Sequence, residues 1–246
     1  PQVNPQSGEI NSCEALVRWQ HPEKGIQPPA SFINIAEQNG LILPIGQRIF
    51  QQSCLQLSKW WQQENTHCKL SVNLSARQFN ESNLLNNICQ LIEEYNLDPQ
   101  WLEIEVTESI LINDLVASIQ TLKSLRDIGI GIALDDFGTG YSSLSYLKQL
   151  PITTLKIDQS FIHELPQDSK SAAITRLLLG LAKGLGMQVV AEGVETEAQY
   201  EFLKNEGCDL IQGYLISPPV NARKFERLLC SNHENIQKFS PLPLFK

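Results

Sequence analysis

The sequence lacks an apolar run long enough to cross a bilayer. A membrane-spanning helix needs about 20 consecutive apolar residues, but the longest candidate, Ala172–Leu185, is interrupted by Arg176, by Lys183 and by two glycines. No signal-peptide pattern opens the chain either. We therefore expect no direct membrane insertion by this domain and a cytoplasmic location, with any membrane anchor of the full-length protein outside these 246 residues.

Basic residues are also scarce. The chain has 19 Lys and Arg against 27 Asp and Glu, which gives a formal net charge of −8. A protein that binds a nucleic-acid polymer needs a basic face to displace counterions, so neither DNA nor RNA is expected as a partner. The 42% of hydrophobic residues, with 14 Gly and 13 Pro, exclude collagen-like and low-complexity classes and are sufficient for one sizeable core.

Paired cysteine motifs are missing as well. The six cysteines form no C-x-x-C pair and show no zinc-like spacing with the four histidines. Most of them lie inside apolar runs, where a free cysteine acts as a small hydrophobic residue. We interpret them as buried thiols, which is consistent with a reducing cytoplasm.

Short apolar runs of strand length alternate with longer stretches of helical period along the whole chain. The predicted strands are Ile10–Trp19, Leu70–Leu74, Leu102–Thr107, Gly131–Asp136, Thr154–Ile157, Gln188–Glu192 and Leu210–Tyr214. The predicted helices are Ser31–Gln38, Ile45–Glu64, Asn83–Tyr95, Asp114–Asp127, Ser142–Leu147, Lys170–Leu185, Thr196–Asn205 and Ala222–Leu229. This alternation predicts an α/β fold with a parallel sheet, either doubly wound or closed into a barrel.

The strand count favours the barrel. Seven strands are predicted, and the chain starts at Pro1 as if an earlier strand lay outside it. We expect a TIM-type (β/α)8 barrel with its first strand absent from this chain. One domain is predicted over residues 1–231, followed by a tail over residues 232–246 that forms a loop or a frayed terminus.

Polar residues stand late in one predicted strand after another. They are Glu14, Asn73, Glu103, Glu105, Glu108, Asp135, Asp136, Lys156, Asp158, Glu192, Glu195 and Gln212. Such residues are costly in an apolar core. At the C-terminal mouth of a parallel barrel they would converge where this fold carries its chemistry.

The acids of this set predict a cation site. Carboxylates gathered around one lysine, Lys156, would repel one another unless positive charge were bound. Oxygen ligands from Asp, Glu and an Asn amide suit Mg²⁺ or Mn²⁺ better than zinc. Adjacent acids cannot point the same way in a regular strand, so we expect the strand to break at Asp135-Asp136, where one acid could bridge two metals. Paired metals are typical of enzymes that cleave phosphodiesters by in-line attack.

Seven motifs of the chain resemble those of the EAL domain, the bacterial cyclic di-GMP phosphodiesterase module. They span nearly the whole chain, in the order of the family. The motifs are Glu14-Ala15-Leu16-Val17-Arg18-Trp19, Val72-Asn73-Leu74-Ser75, Glu105-Val106-Thr107-Glu108-Ser109, Asp135-Asp136-Phe137-Gly138-Thr139-Gly140, Leu155-Lys156-Ile157-Asp158, Glu192-Gly193-Val194-Glu195 and Gln212-Gly213-Tyr214. In the family, a strand antiparallel to its neighbour ends in Tyr-Gln-Pro before the first motif, and Pro1 matches that proline.

The resemblance implies a role for each matching residue. One metal would be bound by Glu14, Asn73, Glu105 and Asp135, and a second by Asp135, Asp136 and Glu192. Lys156 would contact the attacking water or the phosphate, and Glu192 is the implied general base. Arg18 and Gln212 are implied substrate-binding residues, with Gln212 also giving hydrogen-bond support. Glu108 would anchor the loop Asp136–Gly140, and Asp158 and Glu195 would support the metal ligands.

The implied activity is the metal-dependent hydrolysis of one phosphodiester of cyclic di-GMP to linear 5′-pGpG. The cofactors would be two divalent cations, Mg²⁺ or Mn²⁺. The region after Gly140 is the implied homodimer contact. Two alternatives remain: a catalytically silent EAL-type module that binds cyclic di-GMP or a protein, and a metal-dependent barrel enzyme for another phosphate ester.

Overall fold

Eight strands close into a barrel in the computed structural model, which describes residues 1–62, 68–112, 114–138 and 147–237. The strands of the described residues are β1 (Gln2–Val3), β2 (Ile10–Ala15), β3 (Trp19–His21), β4 (Gly25–Gln27), β5 (Lys69–Asn73), β6 (Leu102–Thr107), β7 (Gly131–Phe137), β8 (Thr154–Ile157), β9 (Gln188–Ala191) and β10 (Leu210–Ile211). Around the barrel their order is β1-β10-β9-β8-β7-β6-β5-β2. This closure confirms the predicted barrel and excludes the doubly wound sheet.

Seven of the barrel strands are parallel, because each pair from β2 through β5, β6, β7, β8 and β9 to β10 is parallel. The helices that connect or flank them are Ile33–Asn39, Ile42–Trp61, Ala76–Phe79, Leu84–Glu94, Glu108–Ile112, Leu115–Ile128, Gln159–Ile162, Ser169–Gly184, Glu197–Asn205 and Ala222–Gln237. The predicted helix Ser142–Leu147 lies outside the described residues except for Leu147. None of the described helices is long and apolar enough to span a bilayer.

The first strand is part of this chain, so the expectation that it would be absent is wrong. β1 is antiparallel to both of its neighbours: Gln2 pairs with Ser12, and Val3 pairs with Ile10 and with Ile211. β1 could not be predicted from the sequence, because two residues are too few to show the alternation typical of a strand. The barrel is therefore complete, with one antiparallel strand among eight.

The predicted strand Ile10–Trp19 is in fact two separate elements. β2 ends at Ala15, and Trp19 begins β3, which pairs with β4 as a two-stranded antiparallel sheet outside the barrel. The Trp19 ring contacts Phe32, with 5.9 Å between ring centroids. Arg18 thus lies in the connection between the barrel and this small sheet.

The last helix continues further than the sequence suggested. It runs over Ala222–Gln237, so the expectation of a loop directly after residue 231 is wrong. The predicted end of the domain at residue 231 stays a prediction. Asn232 is 1% exposed and joins this helix to the start of β2. Its Oδ1 accepts from the Ile10 N–H at 3.0 Å, and its Nδ2 donates to the Gly8 carbonyl at 2.8 Å.

We expect Asn232→Ala to lower the free energy of unfolding by about 1–3 kcal/mol, because it leaves a buried N–H and a carbonyl without partners. The matched control is Ser231→Ala, since Ser231 is exposed and its Oγ bonds only the Leu228 carbonyl of its own helix. Urea unfolding followed by circular dichroism measures both. Equal midpoints for the two variants would contradict this role of Asn232.

Candidate active site

The C-terminal ends of the parallel strands carry the polar residues that the sequence analysis singled out. They are Glu14 on β2, Asn73 on β5, Glu105 on β6, Asp135 and Asp136 on β7, Lys156 on β8, Glu192 directly after β9 and Gln212 directly after β10. The seven parallel strands of the barrel end on the same side of it, so the residues at their C-terminal ends lie around one opening. The structure thus brings this predicted set to one mouth.

Lys156 lies at the centre of the set and is only 1% exposed. Its Nζ lies 2.6 Å from Glu105 Oε2, 2.7 Å from Glu192 Oε1, 3.3 Å from Asp135 Oδ1 and 3.6 Å from Glu14 Oε2. Burial alone would lower the pKa of Lys156, but the surrounding carboxylates, Glu105 first among them, raise it well above the ordinary value. Lys156 is therefore a fixed positive charge.

The carboxylates around Lys156 differ in their pKa. Burial raises the pKa of Glu105 well above its usual range despite the nearby ammonium. Burial also raises the pKa of Glu192, to about 7. Burial opposes ionisation of Glu14 too, but Lys156 and the amides of Gln212 and Asn73 outweigh it and lower the pKa. The cluster thus carries more acid than one lysine can neutralise.

Two amides hold Glu14. Asn73 Nδ2 donates to Glu14 Oε1 at 2.7 Å, and Gln212 Nε2 donates to Glu14 Oε2 at 2.7 Å. Gln212 is itself held because Gln2 Nε2 donates to its Oε1 at 2.9 Å. A lone glutamine near the start of the chain gave the sequence analysis no reason to select Gln2.

The segments that follow β9 and β10 hold each other in place. Val194 N–H donates to the Gln212 carbonyl at 3.1 Å, and Leu215 N–H donates to the Val194 carbonyl at 3.0 Å. A Cβ at Gly213 would lie 2.1 Å from that carbonyl oxygen, so this approach requires glycine. The contact fixes Gln212 beside Glu192.

β7 breaks at its two adjacent acids, as the sequence predicted. Its register with β8 shifts between Leu134 and Phe137, and Asp136 has a φ of 55°. The Asp136 N–H donates to Asp135 Oδ1 at 3.0 Å. Burial and the negative charges of Asp135 and Asp158 raise the pKa of Asp136. The irregularity therefore releases the two carboxylates from the strict alternation of side chains that a regular strand imposes.

One oxygen of Glu105 lacks a hydrogen-bond partner in the part of the chain that the structure describes. Glu105 Oε1 is buried and receives no hydrogen bond from the described residues. Within the same residues, no group of three or more His, Cys, Asp or Glu side chains is arranged so that it could hold a metal ion, and the carboxylates converge on Lys156 instead. An orphaned carboxylate oxygen and an all-oxygen donor set nevertheless fit a hard divalent cation.

A cleft with a volume of about 760 Å³ opens beside the cluster. Arg18, Glu195 and Gln212 line it, together with Glu14, Asp135, Lys156 and Glu192. The Arg18 side chain is exposed, and its Nη1 donates to the Val17 carbonyl at 2.8 Å. Trp60 and Gln56 of the helix Ile42–Trp61 also line the cleft, and the sequence analysis assigned neither to it.

The remaining predicted residues lie close to these strand ends. Asp158 begins the helix Gln159–Ile162, where its carboxylate accepts from the Ser160 N–H at 3.0 Å. Glu108 is buried at the start of the helix Glu108–Ile112. Residues 139 and 140 of the loop that Glu108 was expected to anchor lie outside the described residues, so that role stays a prediction.

Glu103 does not belong to this mouth, so its place among the strand-end acids is a wrong expectation. It shares the inner face of β6 with Glu105 but lies two residues earlier, towards the opposite end of the barrel. There it pairs with Lys69 and accepts from Thr154 Oγ1 at 2.7 Å and from Ser71 Oγ at 3.1 Å. Its interactions are those of a satisfied structural ion pair.

Comparisons with known proteins agree with this fold. The family model of the EAL domain matches residues 1–219. The bifunctional diguanylate cyclase/cyclic di-GMP phosphodiesterase MucR of Pseudomonas aeruginosa is 44% identical over 231 residues, which are 94% of this chain and 33% of that protein. The cyclic di-GMP phosphodiesterase PdeR of Escherichia coli is 38% identical over 220 residues, 89% of this chain and 33% of that protein.

Solved structures give the same result. The PaMucR phosphodiesterase in complex with c-di-GMP has a TM-score of 0.88 and 43% identity, covering 92% of this chain and 91% of that one. The EAL enzyme Bd1971 in its cAMP- and cyclic-di-GMP-bound form has a TM-score of 0.88 and 37% identity, and the match covers 93% of this chain and 63% of that one. The chain spans about a third of the length of the two curated relatives. By its matched motifs, its barrel and these relatives, the chain belongs to the EAL domain family.

Proposed function

We propose that this chain is a metal-dependent phosphodiesterase that hydrolyses one phosphodiester of cyclic di-GMP to give linear 5′-pGpG. The observation that carries the proposal is the gathering of four carboxylates around buried Lys156, beside a cleft of about 760 Å³. Relatives named as cyclic di-GMP phosphodiesterases and a related structure with bound c-di-GMP support this substrate. The location we propose is cytoplasmic.

Two divalent cations, Mg²⁺ or Mn²⁺, are part of the proposal. The proposed ligands are Glu14, Asn73, Glu105 and Asp135 for one cation, and Asp135, Asp136 and Glu192 for the other. The unpartnered Glu105 Oε1 and the excess of acid over base around Lys156 support a bound cation. When bound, the cations would neutralise phosphate charge and make a water molecule more acidic.

The other residues of the site would bind the substrate phosphate or orient the attacking water. Lys156 would hold the attacking water or a phosphate oxygen with its permanent charge. Glu192, whose pKa is about 7, could accept the proton of that water near neutral pH. Arg18 is exposed at the cleft and suited to a substrate phosphate, because a guanidinium binds phosphate with two parallel donors.

Further side chains would hold this machinery in place. Gln212 would support Glu14 through the hydrogen bond that already joins them. Asp158 and Glu195 would support the region of the second cation, and Glu108 would anchor the loop Asp136–Gly140. Such supporting contacts orient ligands and commonly change activity or metal affinity 10- to 100-fold in metal sites.

The direct test is turnover by the purified chain. Incubation with cyclic di-GMP and Mg²⁺ or Mn²⁺, followed by nucleotide chromatography, should yield 5′-pGpG, and a chelator should abolish it. Binding of cyclic di-GMP without product would favour the silent receptor. Cleavage of a different phosphate ester alone would favour the third class of function.

Lys156→Ala should lower kcat at least a hundredfold, because it removes a preorganised charge from the reacting centre, and should leave part of the cyclic di-GMP affinity intact. The matched control is Lys69→Met, which removes a lysine that pairs with Glu103 at the other end of the barrel and should affect stability rather than kcat. Initial rates and calorimetric binding separate the two effects. Lost affinity with an unchanged kcat at saturation would refute the role of Lys156.

Asp135→Asn should lower turnover by about a thousandfold, since the side chain keeps its shape but loses the charge proposed to bridge two cations. The control is Asp127→Asn, which makes the same change on an exposed position of the helix Leu115–Ile128. Rates are compared at saturating Mg²⁺ and Mn²⁺. Near-normal turnover of the Asp135 variant would rule out the two-cation arrangement.

We also propose a homodimer through the region after Gly140, of which residues 141–146 lie outside the described residues. That region is joined to Asp135 and Asp136 by the loop that ends at Gly140, so a partner there could set the position of both carboxylates. Activity per chain should therefore rise with protein concentration through the dimerisation range measured by sedimentation. Constant specific activity across that range would contradict the coupling.

A further inference from the structure

Gln2 has a buried polar side chain for which the proposed reaction provides no direct role. It is 1% exposed, on the two-residue antiparallel strand β1. Burying an amide is costly unless it is fully hydrogen-bonded. Gln2 meets that demand by bridging two strands, β2 through Ser12 and the end of β10 through Gln212.

The hydrogen bonds of Gln2 continue to the carboxylate of Glu14. Ser12 Oγ donates to Gln2 Oε1 at 2.5 Å, Gln2 Nε2 donates to Gln212 Oε1 at 2.9 Å, and Gln212 Nε2 donates to Glu14 Oε2 at 2.7 Å. We call this series the Gln2 relay. It runs from the barrel wall into the carboxylate cluster.

The direction of the relay follows from chemistry. An ionised carboxylate can only accept hydrogen bonds, so Gln212 must turn its NH₂ group towards Glu14 and its oxygen towards Gln2. Gln2 must then present its own NH₂ to that oxygen, which leaves its carbonyl for the Ser12 hydroxyl. Every member therefore has one permitted orientation, and Gln2 prevents the Gln212 amide from turning over.

Glu14 is also the carboxylate of the cluster that lies furthest from Lys156. Its Oε2 is 3.6 Å from Lys156 Nζ, whereas Glu105 and Glu192 approach to 2.6 and 2.7 Å. Two amide donors at 2.7 Å compete with the ammonium for Glu14, because each of its oxygens accepts one of them. A Glu14 carboxylate that lost one donor would be free to move onto the ammonium.

We propose that Gln2 is a positioning residue that acts through Gln212 and keeps Glu14 directed towards a divalent cation instead of Lys156. The inference rests on the proposed function, since Glu14 is a ligand only there. β1 then has two roles. It closes the barrel, and through Gln2 it sets the orientation of the Gln212 amide, which in turn contacts the proposed ligand Glu14. Gln2 itself touches neither substrate nor cation.

The test is the affinity of the full chain for Mn²⁺, measured by electron paramagnetic resonance without substrate. Gln2→Met keeps the length of the side chain but removes both polar groups, and it should weaken Mn²⁺ binding about tenfold. Ser12→Ala, a smaller change, should weaken it about threefold by releasing the Gln2 carbonyl. Saturating Mn²⁺ should restore most of kcat and leave KM for cyclic di-GMP unchanged, a pattern that a general loss of structure would not produce.

A double substitution shows whether Gln2 acts through Gln212. If it does, adding Gln2→Met to Gln212→Met should weaken Mn²⁺ binding no further, so the two effects are not additive. Gln188→Met is the matched control, because it makes the same change at the first residue of β9, at the far end of the barrel, and should leave Mn²⁺ affinity unaltered.

The outcomes separate the relay from the proposed function. Wild-type affinity in folded Gln2→Met and Ser12→Ala proteins would overturn the relay while the cation site stands. Additive effects of the Gln2 and Gln212 substitutions would overturn it as well. A wild-type chain that binds no Mn²⁺ would overturn the proposed function, and the relay with it.

Discussion

The buried ammonium of Lys156 is the constraint on which the mouth of the barrel depends. Four carboxylates from four strands reach its Nζ within 3.6 Å, and such a group of acids could not be gathered in a buried place without it. One ammonium does not balance four carboxylates, and burial raises the pKa of two of them, Glu105 and Glu192. Lys156 therefore holds the acids together but does not neutralise all of their negative charge.

The barrel contains two ionic clusters that differ in this balance. Towards the N-terminal ends of the strands, Glu103 pairs with Lys69 and takes hydrogen bonds from Thr154 and Ser71. Two residues further along β6, Glu105 has one oxygen on Lys156 and one without a partner in the described residues. The satisfied pair has a structural role, whereas the unsatisfied cluster is the one to which we assign the proposed reaction. The difference comes from the number of acids per base and not from the fold.

Much of this arrangement was readable in the sequence, because it depends on local patterns. Seven of the eight barrel strands have apolar runs of sufficient length, and the acids at their ends follow at fixed positions. The break at Asp135-Asp136 was predictable because alternation forbids two neighbouring side chains on one face. What was missed depends on contacts between distant segments. β1 is too short for a pattern, and the hydrogen bond of Gln2 to Gln212 joins residues that are 210 positions apart in the sequence.

The error over Glu103 follows from the same physics. The alternation of side chains along a strand shows which face a residue is on but not towards which end of the barrel it lies. Glu103 and Glu105 therefore look equivalent until the register of β6 against its neighbours is known. Glu103 is in register with Ser71 and Gly131, whereas Glu105 is in register with Asn73 and Ala133. A Cβ on Gly131 would lie 2.8 Å from both Glu103 Oε1 and Lys69 Nζ, so a larger residue there would displace the ends of these two side chains. Gly131 is 28 residues from Glu103 and 62 residues from Lys69 in the sequence. Their proximity could have distinguished Glu103 from Glu105 only if the register of the strands had been known first.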